Sequence, residues 1–142
     1  TIPPIVARGV LLDIAGVKQV DALPAHYAIT PADIDRALAR QKTELRPGDV
    51  VLIRTGRWAR AEVDGQWDIM KDSAGLHASC LPWLRKRDVA VIGSDLALDV
   101  LPSGVEGFEM PVHWTVVVSM GMPHEDGVYR ATCSKHGPER LR

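Results

Sequence analysis

Cysteine is scarce in this chain. Among 142 residues only Cys80 and Cys133 carry thiols, far apart and outside any CxxC spacing. No disulfide framework or cysteine-based metal motif is written here. The pair reads as free thiols of a reducing compartment, with one long disulfide left open. Excess charge is lacking too. Seventeen basic residues against eighteen acidic ones give a net charge of −1. Long-range attraction to nucleic acid or to an anionic membrane is therefore not expected. No apolar run approaches the roughly 18 residues that cross a bilayer. Thr1-Ile2-Pro3-Pro4 has no basic segment followed by an apolar one, so no secretory signal is read there. A cytoplasmic location is expected. No Met stands at position 1, which suggests processing or a piece of something longer.

Common catalytic signatures are missing as well. There is no GxGxxG after a strand and no phosphate-binding GxxxxGKS or GxxxxGKT. GxSxG and HExxH are absent, and no two of the five histidines stand four apart. There is no internal repeat and no low-complexity tract. By spacing alone, His113 with Glu125 or Asp126 supplies two metal ligands, fewer than the usual three protein ligands of a catalytic zinc site.

What is present suits one α/β domain. A chain of this length buries roughly 68% of its unfolded surface without needing staples. Ile5 to Ala15 is short and dense in apolar residues, so it predicts a strand, with Asp13 at its end. Gly16 to Tyr27 predicts a loop, in which His26 is solvated or locally hydrogen-bonded. Thr30-Pro31-Ala32-Asp33 is a helix start, because Thr30 can accept from free backbone N–H groups and Pro31 suits the first position. That helix should reach about Glu44. A turn at Arg46-Pro47-Gly48-Asp49 leads into a buried strand, Val50 to Arg54. Arg57 to Ser73 predicts a long excursion with one short helical turn, and Trp58 and Trp67 in it suggest a packed flap or an interface. Leu76 to Lys86 predicts a helix in which Pro82 is a kink or the true first turn. Val89 to Gly93 predicts a third strand, giving βαβ units and a right-handed parallel or mixed sheet. Val112 to Met120 fits helix or strand, and Val116 to Val118 favours strand. Val128 to Arg142 has no apolar face and predicts a poorly ordered tail, 127–142, after a domain at 1–126.

Function concentrates in Val91 to His113. A buried strand ends in Ser94 and Asp95, a loop carries Asp99, Glu106 and Glu109, and Pro111-Val112-His113 closes it. Acids and a histidine past a strand end are where open α/β sheets place chemistry. An acidic surface loop with a capping Asp and a core histidine fits the same letters.

Several segments together carry a resemblance. They are Arg8 to Asp13, Ile29 to Asp33, Arg46 to Gly56, Gly75-Leu76, and Val91 to Gly107 with Pro111-Val112-His113. In order and spacing they resemble the cyclase family of metal-dependent hydrolases that includes bacterial kynurenine formamidase and isatin hydrolase. The resemblance runs from Ile5 to Asp126, and DVLPSGVEG is its most specific part. It implies an incomplete α/β fold of the swivelling β/α/β cyclase type, with a mixed sheet and flanking helices. It implies zinc or manganese, a small-molecule amide or cyclic amide substrate, and water activated on the metal as nucleophile. An arylformamidase-like role in tryptophan catabolism would follow, as would a homodimer or larger homo-oligomer. His113 matches a late family histidine that reaches the metal and serves catalysis. Glu125 or Asp126 falls where a following acid ligand belongs, with Asp126 favoured. Asp95 is expected to brace the site from its strand end. The family's HxGTHxDxxxH motif has no counterpart here. The chain thus resembles a carboxyl-terminal part, and by itself it is expected to bind metal weakly and turn over little. A truncated or frame-shifted reading would explain both ends. The competing expectation is a non-catalytic binding or assembly module whose contact surface is the Trp58 and Trp67 excursion.

Overall fold

Parallel strands buried between layers are short runs of β-branched and aliphatic residues, and three such runs make the centre of this protein. The structure, a computed structural model, describes residues 6–126. In chain order the elements are β1 (Gly9–Asp13), α1 (Ile14–Val17), β2 (Ala28–Ile29), α2 (Pro31–Gln41), β3 (Val50–Arg54) and α3 (Arg57–Asp64). Then come β4 (Gly75–Leu76), α4 (Cys80–Lys86), β5 (Val91–Ser94), α5 (Pro111–Trp114), a π-helical turn at Thr115–Ser119, and β6 (His124–Glu125).

The main sheet has the order β1-β3-β5-β6, and β2 pairs with β4 in a second, two-stranded one. Every ladder among the described residues is parallel. Among the described residues, antiparallel pairing occurs only as isolated bridges, Ser73 with Leu101 and Val105 with Phe108. Of the two sheet types expected, the described ladders are therefore the parallel one. Val10, Leu12, Val51, Ile53 and Ile92 of the main sheet are buried with Ile34 of α2, Leu84 of α4, and Val112 and Val116.

Local chemistry sets the element ends. Asp33 reaches back to the Thr30 amide and hydroxyl, each at 3.0 Å, which fixes the start of α2. The helix stops at Gln41, short of Glu44, with Lys42 left-handed at φ 51°. The Gln41 amide then serves the open edge of β1: it donates to Leu11 O at 2.6 Å and accepts from Asp13 N at 3.1 Å. At the strand ends Arg54 donates to Asp13 at 2.6 Å.

Four expectations are corrected. The first strand is only Gly9–Asp13, because Asp13 accepts from Gly16 N at 2.8 Å and turns Ile14–Val17 into a helix across the end of the expected strand and the start of the expected loop. Arg57 opens a helix of two turns rather than one short turn. Gly56, at φ 87°, makes the corner; a Cβ there would stand 2.2 Å from Asp21 O. Leu76 belongs to β4, so α4 begins at Cys80 and Pro82 falls in its first turn, where a missing N–H does no harm. Val116 to Val118 is a π-helical turn rather than a strand. Val116 is fully buried there, while Val117 and Val118 face water. Packing of one valine overrides the β-propensity of three.

Cys80 is buried, and that burial pushes its thiol up to about 12, far from reactive. The tail 127–142, its boundary and Cys133 lie outside the described residues. No helix among the described residues is long and apolar enough to cross a membrane.

Candidate metal centre

The backbone leaves β5 and stays buried from Ser94 to Leu101, placing two carboxylates under the carboxyl end of the sheet. Asp95 accepts from Thr55 N at 2.7 Å, Thr55 Oγ1 at 2.8 Å, Gly56 N at 2.9 Å and Arg57 N at 3.2 Å. All its acceptor sites are engaged, so it stitches the end of β5 to the β3–α3 corner. It touches none of the ligand candidates.

Asp99 does the equivalent for α5. Pro111 has no N–H to satisfy, and the next two backbone donors, Val112 N and His113 N, reach Asp99 at 2.7 and 2.9 Å. The same carboxylate takes His113 Nδ1 at 2.6 Å. The imidazole is thereby fixed in orientation, with Nε2 pointing outward. That Nε2 lies 2.8 Å from Asp126 Oδ2. Asp126, and after it Asp99, hold a proton on the ring against partial burial, and push the His113 pKa up to about 9. The side chain of His113 is 15% exposed and that of Asp126 is 42% exposed. The cluster therefore sits at the mouth of the sheet.

His124 completes it. Parallel pairing of β6 sets His124 opposite Ile92 of β5. Its ring meets His113 edge-on, with centroids 4.5 Å apart. Its Nε2 lies 3.9 Å from Asp126 Oδ2. Ligand atoms of His113, His124 and Asp126 all fall within 4.8 Å of one another.

Of the residues singled out in the sequence, the structure brings together Asp99, His113 and Asp126. The backbone of Glu125 pairs in β6, and its side chain lies outside the described residues. Glu106 and Glu109 stay exposed on the loop from Leu101 to Glu109, which with Met70 walls an open groove of about 940 Å³. His26 bonds out of its loop rather than locally, with Nδ1 2.6 Å from Leu101 O. His77 Nδ1 meets Ser79 Oγ at 2.9 Å, a local contact. Two contributors were not assigned their roles from the sequence. Asp99 was seen as a loop acid, but nothing local ties it to a ring fourteen residues on. His124 and Asp126 stand two apart, the spacing that puts side chains on one side of an extended segment, and that was the available signal.

The donor set is one that a divalent metal ion can use. Two imidazoles and one carboxylate match the three protein ligands of catalytic zinc sites. A buried carboxylate behind a ligand imidazole is the usual outer support of such a histidine.

The family model described as "Putative cyclase" matches residues 1–99. This chain belongs to the cyclase family. The model's match ends at Asp99, so the turn that carries His113 lies past it. Among solved structures, the crystal structure of a novel cyclase aligns with TM-score 0.72 and 30% identity, over 87% of this chain and 40% of that one. Isatin hydrolase A from Labrenzia aggregata, bound to benzyl benzoate, aligns with TM-score 0.56 and 18% identity over 79% of this chain and 44% of its own. An isatin hydrolase bound to the product analogue thioisatinate gives 0.55 and 21%, over 77% and 42%. At those identities the two hydrolases share the fold with this cyclase-family chain. It spans less than half the length of each of the three. No curated protein matches it.

Proposed function

We propose that His113, His124 and Asp126 hold a divalent metal, zinc or manganese, as part of a hydrolase acting on an amide or cyclic amide C–N bond. One observation carries this reading: three ligand groups converge at the sheet mouth while buried Asp99 locks the far side of the His113 ring. A divalent ion bound there supplies Lewis acidity and lowers the pKa of water it holds. The chain's own residues orient the site. Asp99 fixes the His113 ring, and Asp95 fixes the segment that carries Asp99. An aromatic amide is the substrate class by likeness to the isatin hydrolases, and an arylformamidase-like reaction is one member of that class.

In the free protein His113 Nε2 carries a proton that Asp126 accepts, so a metal must displace it. Calorimetric titration with zinc or manganese at pH 7, repeated in buffers of different ionisation enthalpy, tests this. The expected result is one-to-one binding that releases about one proton, strengthens as pH rises toward 9, and is lost in His124→Ala. Absence of saturable heat, or equal binding by the His124 variant, would falsify the site.

A further inference from the structure

We propose that Arg57, Trp58 and Trp67 enclose a second binding site, for a small planar carboxylate, built from none of the residues around His113. The cavity measures about 190 Å³ and is lined by Arg57, Trp58, Ala61, Gln66 and Trp67. Two N–H donors of these lining residues, Arg57 Nε and Trp58 Nε1, are buried and meet no acceptor among the described residues. Nearly all buried donors in folded proteins have a partner, and two neighbours without one mark a place built to receive an acceptor.

Three polar groups near the cavity are already engaged. Trp67 Nε1 donates to Asp72 O at 2.8 Å. The Asp72 carboxylate is held by Arg60 at 2.6 and 3.2 Å. Asp95 accepts the Arg57 backbone N–H. The missing acceptor must therefore come from outside this set.

The walls state its chemistry. The Arg57 guanidinium lies 5.0 Å from the Trp58 ring centre and 5.9 Å from that of Trp67, and Arg60 stacks on Trp67 at 4.3 Å. Permanent positive charge beside two N–H donors selects an anion with two acceptor oxygens. Two indoles select a flat, apolar body. The volume is below the roughly 300 Å³ at which drug-sized pockets begin, and several times the roughly 30 Å³ share of one water. A benzoate-sized molecule meets all three conditions.

Benzoate is the probe, added to the whole chain with a chelator present so that no metal at His113 takes part. The readout is the Trp58 indole N–H resonance, assigned by its loss in Trp58→Phe. The expected result is a saturable downfield shift, with affinity falling about tenfold or more in Arg57→Gln and for neutral benzamide. Trp58→Phe keeps the stacking wall but removes one donor, so by a distinct signal, Trp67 N–H, it should bind benzoate several-fold more weakly while melting with the native protein. A flat titration, benzamide binding equal to benzoate, or affinity unmoved by Arg57→Gln overturns the proposal.

Discussion

Asp99→Asn changes one charge and almost no volume, so its cost can be worked from the contacts. Asp99 is fully buried. Its Oδ2 accepts from His113 N and Nδ1, and its Oδ1 accepts from Val112 N. An asparagine offers one acceptor oxygen and one NH2. With the oxygen facing His113, the NH2 confronts Val112 N–H and strands it; the opposite flip strands two donors. The cheaper arrangement loses a charge-assisted bond and leaves one buried donor unpaired, at about 2–4 kcal/mol. Urea unfolding at pH 7 reads that loss. The variant also weakens one of the two carboxylates that hold the His113 proton, so the ring pKa should drop from about 9 part of the way toward 6.5. Because the folded pKa is the raised one, the charged ring stabilises fully below about 6.5, and this contribution fades as pH climbs through about 9. The native protein should therefore weaken across that window, and Asp99→Asn should weaken less. Imidazole proton shifts followed against pH give the midpoint directly. A variant within about 0.5 kcal/mol of the native protein, or one whose ring still titrates near 9, would refute the reasoning.

Three other outcomes are expected. Asp126→Asn should cost less than about 1 kcal/mol, since its side chain is 42% exposed. It should nevertheless lower the His113 midpoint more than Asp99→Asn does, because Asp126 is the larger of the two influences; the same pH titration ranks them. Asp95→Asn should destabilise by about 2–5 kcal/mol in denaturant, because four donors converge on that carboxylate and an amide can serve only about two of them. A shift in midpoint too small to measure would contradict that. Gly75→Ala should lower the melting temperature and disturb the His113 resonance together, since a Cβ at Gly75 would sit 2.3 Å from the Asp99 carbonyl carbon and 2.4 Å from its oxygen. An alanine variant with native melting and a native ring signal would show that the backbones can part freely.

Legibility followed the range of the interactions. The runs that became β1, β3 and β5 are short and aliphatic, and the first two are bounded by Pro and Gly, so they stand out from their neighbours alone. The Thr30 to Asp33 start is equally local, because donor and acceptor lie three residues apart. The start of α3 was hidden for the opposite reason: the acceptor for Gly56 N and Arg57 N is Asp95, nearly forty residues later. Strands β2 and β4 are two residues each and exist only because they face one another. At the site, His113 stood out in the stretch after β5 and with Glu125 or Asp126 as a ligand pair, and resemblance favoured Asp126. That Asp99 backs the ring depended on where α5 packs, which no local pattern encodes, and for the second imidazole the two-residue spacing of His124 and Asp126 was a local hint.

A designer grafting a new reaction onto this scaffold would be tempted by its two deepest acids, and both would disappoint. The oxygens of Asp95 accept four hydrogen bonds and those of Asp99 accept three. Their lone pairs are already committed to the backbone and to the His113 ring, and both side chains are buried away from the surface an incoming molecule would reach. The carboxylates within reach of an incoming molecule are on the rim, where Glu106 and Glu109 meet solvent.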